Sequence, residues 1–324
     1  MSSNNIAQQP PLHQDQQLEQ PQLQQQQPQN ESPSSSSSSS THSPSQNADA
    51  PSAEPYHLPT HRLRTLQDPN KTPLVLVVCG SFSPITIMHL RMCEMASDWV
   101  RMVEDNYEVV GIYLSPVSDA YKKANLAAAH HRIRMCELAV EDTTNCVMVD
   151  PWEANQPRYV PTAQVLDHFR SEINGGELGG IVVAGEGQAQ RRPARVALLC
   201  GADLMHSMST PGLWSPDDLD RILGEGGLYV VERHGTDLEE AKEALSQWAD
   251  HISVIPQGVP IDLSSTKVRL FLHKKMSVRY FVPNSVIEYI VANGLYGTSK
   301  EEQAGEPPSD KGKAAVSVAY SEHR

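Results

Sequence analysis

Between residues 69 and 297, short β-branched runs alternate with stretches of helical period, and few folds accept that order. The runs at 74–79 (LVLVVC), 108–114 (EVVGIYL), 146–149 (CVMV), 196–200 (VALLC), 228–231 (LYVV) and 252–255 (ISVI) are apolar at consecutive positions, so each strand must be covered on both faces. The intervening pattern predicts helices at 87–105, 128–142, 161–173, 216–224 and 237–249, with two closing helices at 264–274 and 283–293. Strand and helix in alternation define an α/β chain with a doubly wound parallel sheet, Rossmann-like, and C-terminal helices. In such sheets ligands sit beyond the carboxyl ends of the strands, so the loops after strands are where function is sought.

Outside this region the composition changes. Residues 1–68 are rich in Gln, Ser and Pro and read as a disordered arm that cannot bury enough apolar surface to offset its conformational entropy; 298–324 reads as a disordered tail. The glycine-rich stretch 174–195 (NGGELGGIVVAGEGQAQRRPAR) reads as a flexible insertion, with a short extra strand at IVVAG as the alternative. A formal net charge of −13 argues against nucleic acid as the main partner while leaving room for a local basic pocket. No apolar run approaches the ~18 residues that span a bilayer, and MSSNNIAQQPP lacks a signal peptide's basic start and apolar core. The expectation is therefore no membrane, and residence in the nucleus, the cytoplasm or both. Five cysteines with no CxxC spacing predict reduced, buried thiols, and neither zinc nor disulfides are expected.

Two loops carry chemistry. After the first strand there is no GxGxxG fingerprint, and no GxxxxGK[ST] occurs anywhere, so neither of the commonest nucleotide loops is present. Instead residues 79–90 read CGSFSPITIMHL. Gly80 permits close approach of backbone amides to an anion, Ser81 supplies a donor, Pro84 stiffens the turn, and His89 falls near the first turn of the following helix. Taken alone, this loop is explained more simply by a glycine turn followed by a partly buried histidine. The second loop, IDLSSTKVR at 261–269, offers Ser264 or Ser265 as a helix cap, then Thr266, Lys267 and Arg269. Free amides, a hydroxyl and two cations at one helix N-terminus make a phosphate site, although a plain cap with a solvated face explains each feature singly.

Together GSFSPITIMH and LSSTKVR resemble the eukaryotic nicotinamide mononucleotide adenylyltransferases, within the nucleotidyltransferase superfamily that carries an (H/T)xxH loop. The resemblance runs from about 73 to 296 and includes SPVSDAYKK (115–123), LLCGADLMHSM (198–208), PGLW (211–214) and VRYFVPNSVIEYI (278–290). It implies that Gly80, Ser81 and Phe82 hold the dinucleotide backbone, and that His89, Lys123, Thr266, Lys267, Val268 and Arg269 contact ATP. By the same resemblance Tyr159, Thr162, Gly201, Asp203, Leu213, Trp214 and Arg233 join Gly80 and Ser81 around the mononucleotide, with Trp214 stacking on the pyridinium ring. His89, Lys123, Lys267 and Arg269 are the implied catalytic set. Two positions depart from the family: a stacking tryptophan is replaced by Tyr159, and an adenine-contacting asparagine by Ile261.

The implied reaction is attack of the 5′-phosphate of nicotinamide mononucleotide, or of nicotinate mononucleotide, on the α-phosphorus of ATP, yielding NAD or its deamido form and pyrophosphate. No general base and no covalent intermediate are required; Mg²⁺ is expected as a cofactor held mainly through ATP, with no dedicated protein metal ligands. A homo-oligomer is expected, with protein partners for the N-terminal arm. Two rivals are weighed. KKMS at 274–277 is similar to the KMSKS loop of class I aminoacyl-tRNA synthetases, but the chain is acidic and LSSTKVR already fills that role. A scaffold or chaperone role is the non-enzymatic alternative.

Overall fold

The computed structural model describes residues 56–298 apart from 142–144, 186–189 and 234; the expected disordered tail beyond 298 and most of the expected N-terminal arm lie outside the described residues. In chain order the elements are β1 (Thr72–Gly80), α1 (Ile87–Val103), β2 (Tyr107–Pro116), α2 (Ala129–Glu141), β3 (Val147–Val149), α3 (Thr162–Asn174), β4 (Ile181–Val182), β5 (Arg191–Arg192), β6 (Arg195–Gly201), α4 (Ala202–Ser209), α5 (Pro216–Leu219), β7 (Leu228–Val231), α6 (Glu239–Ala244), β8 (Ile252–Ile255), α7 (Ser265–His273) and α8 (Asn284–Ala292). Six strands form one parallel sheet in the order β3-β2-β1-β6-β7-β8.

Both faces of this sheet are buried, as consecutive apolar positions require. Leu74, Leu76 and Val78 of β1 pack on one side with residues of α1, α2, α7 and α8. Val75 and Val77 point to the other, toward α3, α4 and α6. The chain leaves β1 toward β2 and β3, then returns through α3 on the opposite face to lay β6 along the free edge of β1. A right-handed crossover demands that change of face. It also opens a crevice between the carboxyl ends of β1 and β6, the point where the winding reverses.

Some expectations are corrected. Residues 56–68, expected within the disordered arm, are packed: Leu66 is fully buried, its N–H donates to Val182 O at 2.9 Å, and Arg64 N–H donates to Val110 O at 2.8 Å. Gly111 makes this possible, because a Cβ there would lie 2.6 Å from the Leu63 side chain. The 174–195 insertion is not a bare loop over its described residues. Ile181 is buried, β4 and β5 pair antiparallel, and the Asn174 side chain closes the base by exchanging two hydrogen bonds with the Ala194 backbone. The helix expected at 216–224 is α5 followed by a wide π turn over Asp220–Gly226, and that at 237–249 is broken at Leu245 between α6 and a tight turn. The five cysteines are free, four of them buried. Among the described residues no helix is long and apolar enough to cross a membrane.

Candidate active site

The turn after β1 is built around Phe82. Its ring is buried, its φ is +42°, and a Cβ on Gly80 would sit 3.1 Å from the ring. Gly80 leaves room for the Phe82 ring; the Phe82 side chain belongs to the core, so of that residue only the backbone is available to a ligand. Thr86 caps α1, and its N–H donates to His89 Nδ1 at 3.0 Å, with its Oγ1 2.8 Å from the same nitrogen. A backbone N–H can only donate, so Nδ1 accepts and the ring proton rests on Nε2. Burial pushes the imidazole down to about 4. At neutral pH His89 is thus an uncharged donor held in one tautomer, with Phe82 edge-on to it at 5.2 Å.

Helix α7 is fastened to this turn. Ser265 Oγ donates to Pro84 O at 2.8 Å, and Arg269 Nη1 donates to Ser83 O at 2.7 Å while Nη2 donates to Thr266 Oγ1 at 3.2 Å. Ser264 caps the helix by accepting from Lys267 N–H, leaving the first-turn amides of Ser265 and Thr266 with no carbonyl inside the helix to accept them. Val268 does not fit its assigned role: its side chain is fully buried and its N–H donates to Ser264 O. Lys123 approaches from the segment after β2. Desolvation first, and then the Arg269 charge, hold its ammonium below the usual lysine range, although the residue as a whole is exposed. Neither Lys123 nor Arg269 pairs with an acid among the described residues. Two cations near enough to disfavour one another's charge form a place where an anion is stabilised.

On the β6 side Gly201 ends the strand and caps α4, and a Cβ there would meet nothing within 4 Å. Neither its backbone angles nor its neighbours require glycine, so the open space is available to a bound group. Asp203 in the first turn of α4 is exposed and accepts from Arg233 Nη1 at 3.3 Å. Arg233 also donates to Asp262, which accepts from Lys267 as well. Trp214 is half-buried, its Nε1–H donating to Ser207 Oγ at 3.2 Å, and Leu213 beside it is half-buried too. Thr162 opens α3, and the Tyr159 ring stacks on Tyr121 at 5.8 Å with 25° between planes.

The sequence reading passed over four participants. Tyr121 covers one face of Tyr159. Tyr296 bonds with Ser83 Oγ at 2.9 Å and so ties the chain after α8 to the β1 turn. Asp262 joins Arg233 to Lys267. Arg132, fully buried on α2, donates to the carbonyls of Ser81, Val117 and Ala127 and to the Asp119 carboxylate, pinning both ends of the segment that carries Lys123. Two cavities, of about 430 and 1170 Å³, lie elsewhere, around the amino ends of the strands and along α1, and are lined by none of these side chains.

A parallel sheet with a donor-rich turn after its central strand, a capped helix N-terminus beside it and unneutralised cations between has the layout of a nucleotidyltransferase fold. Residues 77–271 match the model of the cytidylyltransferase-like family, to which this chain belongs. A protein of Schizosaccharomyces pombe named nicotinamide/nicotinic acid mononucleotide adenylyltransferase is 51% identical over 245 residues, covering 74% of this chain and 65% of that protein. Its namesake in Oryza sativa subsp. japonica is 40% identical over 247 residues, covering 74% of this chain and 93% of that protein. The structure of Plasmodium falciparum nicotinic acid mononucleotide adenylyltransferase complexed with APC superposes with a TM-score of 0.50 at 17% identity, over 71% of this chain and 99% of that one, which shows a shared fold. This chain spans just under two thirds of the fission-yeast relative's length.

Proposed function

We propose that the chain transfers the adenylyl group of ATP to nicotinamide mononucleotide, and also to nicotinate mononucleotide, forming NAD or its deamido form and releasing pyrophosphate. The observation that carries this reading is the meeting, at the end of β1, of a neutral His89 donor, the α7 N-terminus, and Lys123 and Arg269, neither of which has an acidic partner among the described residues. The relatives' names supply the substrates.

In this reading the attacking 5′-phosphate is already an anion, so the site has no proton to remove. Its work is to bring two anions together and to spread the charge that grows on the leaving pyrophosphate. His89 Nε2–H donates to a phosphate oxygen without adding a charge, while Lys123, Lys267 and Arg269 neutralise the triphosphate. Gly201 and Asp203 receive the mononucleotide ribose, and Arg233 fixes Asp203. The pyridine ring lies between Tyr159, backed by Tyr121, and Trp214, with Leu213 and Thr162 alongside. At the phosphate end the Asp262 carboxylate is already engaged by Lys267 and Arg233, and the other side chains assigned there are an imidazole, cations and hydroxyls, so in this reading Mg²⁺ would be held mainly through ATP and water and would supply charge withdrawal from the phosphates. Ile261 offers no polar contact to adenine. A polar side chain beside it is that of Gln257, whose Nε2 donates to Ile261 O at 3.4 Å and whose buried Oε1 has no partner among the described residues. A homo-oligomeric state belongs to the same proposal and rests on the family resemblance.

The test uses wild type and Trp214→Leu on matched preparations. Wild type is expected to form dinucleotide from ATP and either mononucleotide. The variant keeps most of the apolar volume but loses a cation–π face worth about 0.5–2 kcal/mol. KM for the mononucleotide should rise roughly 2- to 30-fold while KM for ATP stays nearly constant. An equal rise in both, or a fallen melting midpoint with unchanged KM, contradicts the stacking role; absence of dinucleotide with wild type contradicts the function.

A further inference from the structure

Four cations stand at the crevice, and they are treated in two ways. Lys123 and Arg269 have no acidic partner among the described residues, whereas Lys267 and Arg233 share one carboxylate, that of Asp262. Asp262 Oδ2 accepts from Lys267 Nζ, its own carbonyl oxygen lies 3.3 Å from the same ammonium, and Oδ1 accepts from Arg233. Arg233 continues to Asp203 at 3.3 Å. The result is an unbroken run of alternating charge, Asp203–Arg233–Asp262–Lys267, from the end of β6 to the first turn of α7.

A carboxylate among cations that serve a triphosphate is costly to ground-state binding, because it occupies the ammonium an incoming phosphate needs and repels that phosphate as well. If tight binding were all the site required, Asp262 would be a liability. Its value lies on the other side of the reaction. Pyrophosphate is a denser anion than any substrate group it replaces, and a site built to stabilise its developing charge tends to retain it.

Resting on the adenylyl-transfer reading above, we propose that Asp262 is a positioning residue for Lys267 whose carboxylate competes with the departing pyrophosphate for that ammonium, so that re-forming the internal ion pair offsets the loss of the product's contacts. The pairing with Lys267 and Arg233 holds the Asp262 carboxyl down to about 2, so the competitor is charged at neutral pH. The pair is largely exposed, with 60% of the Asp262 side chain accessible, so the effect is set at the scale of a surface ion pair.

The test is Asp262→Asn, which preserves shape and removes the charge, probed with magnesium pyrophosphate by direct titration and as a product inhibitor. We expect its Kd and its Ki both to fall, by roughly 5-fold, with no rise in KM for ATP. A residue that merely supported the loop would give the opposite sign, a weaker pyrophosphate site together with a raised KM. In Asp262→Asn/Lys267→Met the tightening should vanish relative to Lys267→Met alone, since the contested ammonium is gone. Unchanged or weakened pyrophosphate binding in a folded Asp262→Asn overturns the proposal by itself. Wild type that makes no dinucleotide overturns the functional reading instead, and the direct titration separates the two because it needs no turnover.

Discussion

His89→Ala is expected to lower kcat by roughly 10²-fold or more while the protein stays folded. The expectation follows from how the ring is held. Thr86 N–H fills Nδ1, burial keeps the ring uncharged, and Nε2–H is left as a donor of fixed direction. Such a donor needs no reorganisation when charge moves onto the leaving group, and its removal costs a few kcal/mol of transition-state stabilisation. The stability loss should be smaller, about 1 kcal/mol, the scale of one capping interaction. The linkage also has a sign. With a folded pKa depressed to about 4 from 6.5, His89 takes up its proton more readily in the unfolded chain, so wild-type stability falls as pH drops through that window. His89→Ala removes this component. Near-normal turnover in a folded variant, or an imidazole that titrates near 6.5 by nitrogen NMR, contradicts the assignment.

Arg132→Met should cost the most stability of any single change near the crevice. The guanidinium is fully buried and satisfies three carbonyls, those of Ser81, Val117 and Ala127, besides the Asp119 carboxylate. Methionine fills similar length but returns none of those bonds, and each carbonyl left without a donor costs about 1–3 kcal/mol. A total of about 3–5 kcal/mol is expected, or roughly 10 °C in melting midpoint for a domain of this size. The segment that carries Lys123 is unpinned at the same time, so KM for ATP should rise even at temperatures where the variant is folded. A midpoint within about 2 °C of wild type, with KM unchanged, would show that other contacts hold this segment.

The strands were the most legible part of the chain, for a physical reason. Residues 228–231 are buried and 252–255, on the sheet's edge strand, largely half-buried; both runs are flanked by glycine or polar turns, and β7 and β8 occupy those bounds. Helix α4 was not legible because its eight residues begin directly at the end of β6, with no intervening polar turn to mark a start. The π turn after α5 was hidden too. Gly226 lies where a Cβ would be 2.7 Å from Val196 O, a close approach between segments 30 residues apart that no local period announces.

At the candidate site, residue types were readable and partnerships were not. The motifs marked Gly80, His89, Lys267 and Arg269, yet nothing local says that Gly80 makes room for Phe82 or that Lys267 shares a carboxylate with Arg233. Thr86 did leave a signal, since a threonine three residues before a side chain able to accept its N–H is the capping-box spacing, with histidine in place of the usual glutamate. Arg132 left another: it falls on the stripe of α2 that includes Met135, Cys136 and Ala139, and a charge on a core stripe calls for partners. The extent of the ordered chain was misjudged for the reverse reason. Residues 56–68 are sparse in aliphatics, but Leu58, Leu63 and Leu66 pack on the core, Leu63 in the space left at Gly111, and Tyr56 and Arg62 add hydrogen bonds to Asp150, Val140 and Val147.

The central claim is that this crevice joins two nucleotides through a single displacement at the α-phosphorus of ATP. Phosphorus NMR of the full chain with ATP, nicotinamide mononucleotide and Mg²⁺ tests it most directly, because each fate of the phosphates has its own resonance. The account predicts dinucleotide and pyrophosphate growing together in equal amounts as ATP and mononucleotide decline, with no orthophosphate. Orthophosphate or free AMP in place of dinucleotide, or ATP left intact beside the mononucleotide, would contradict it.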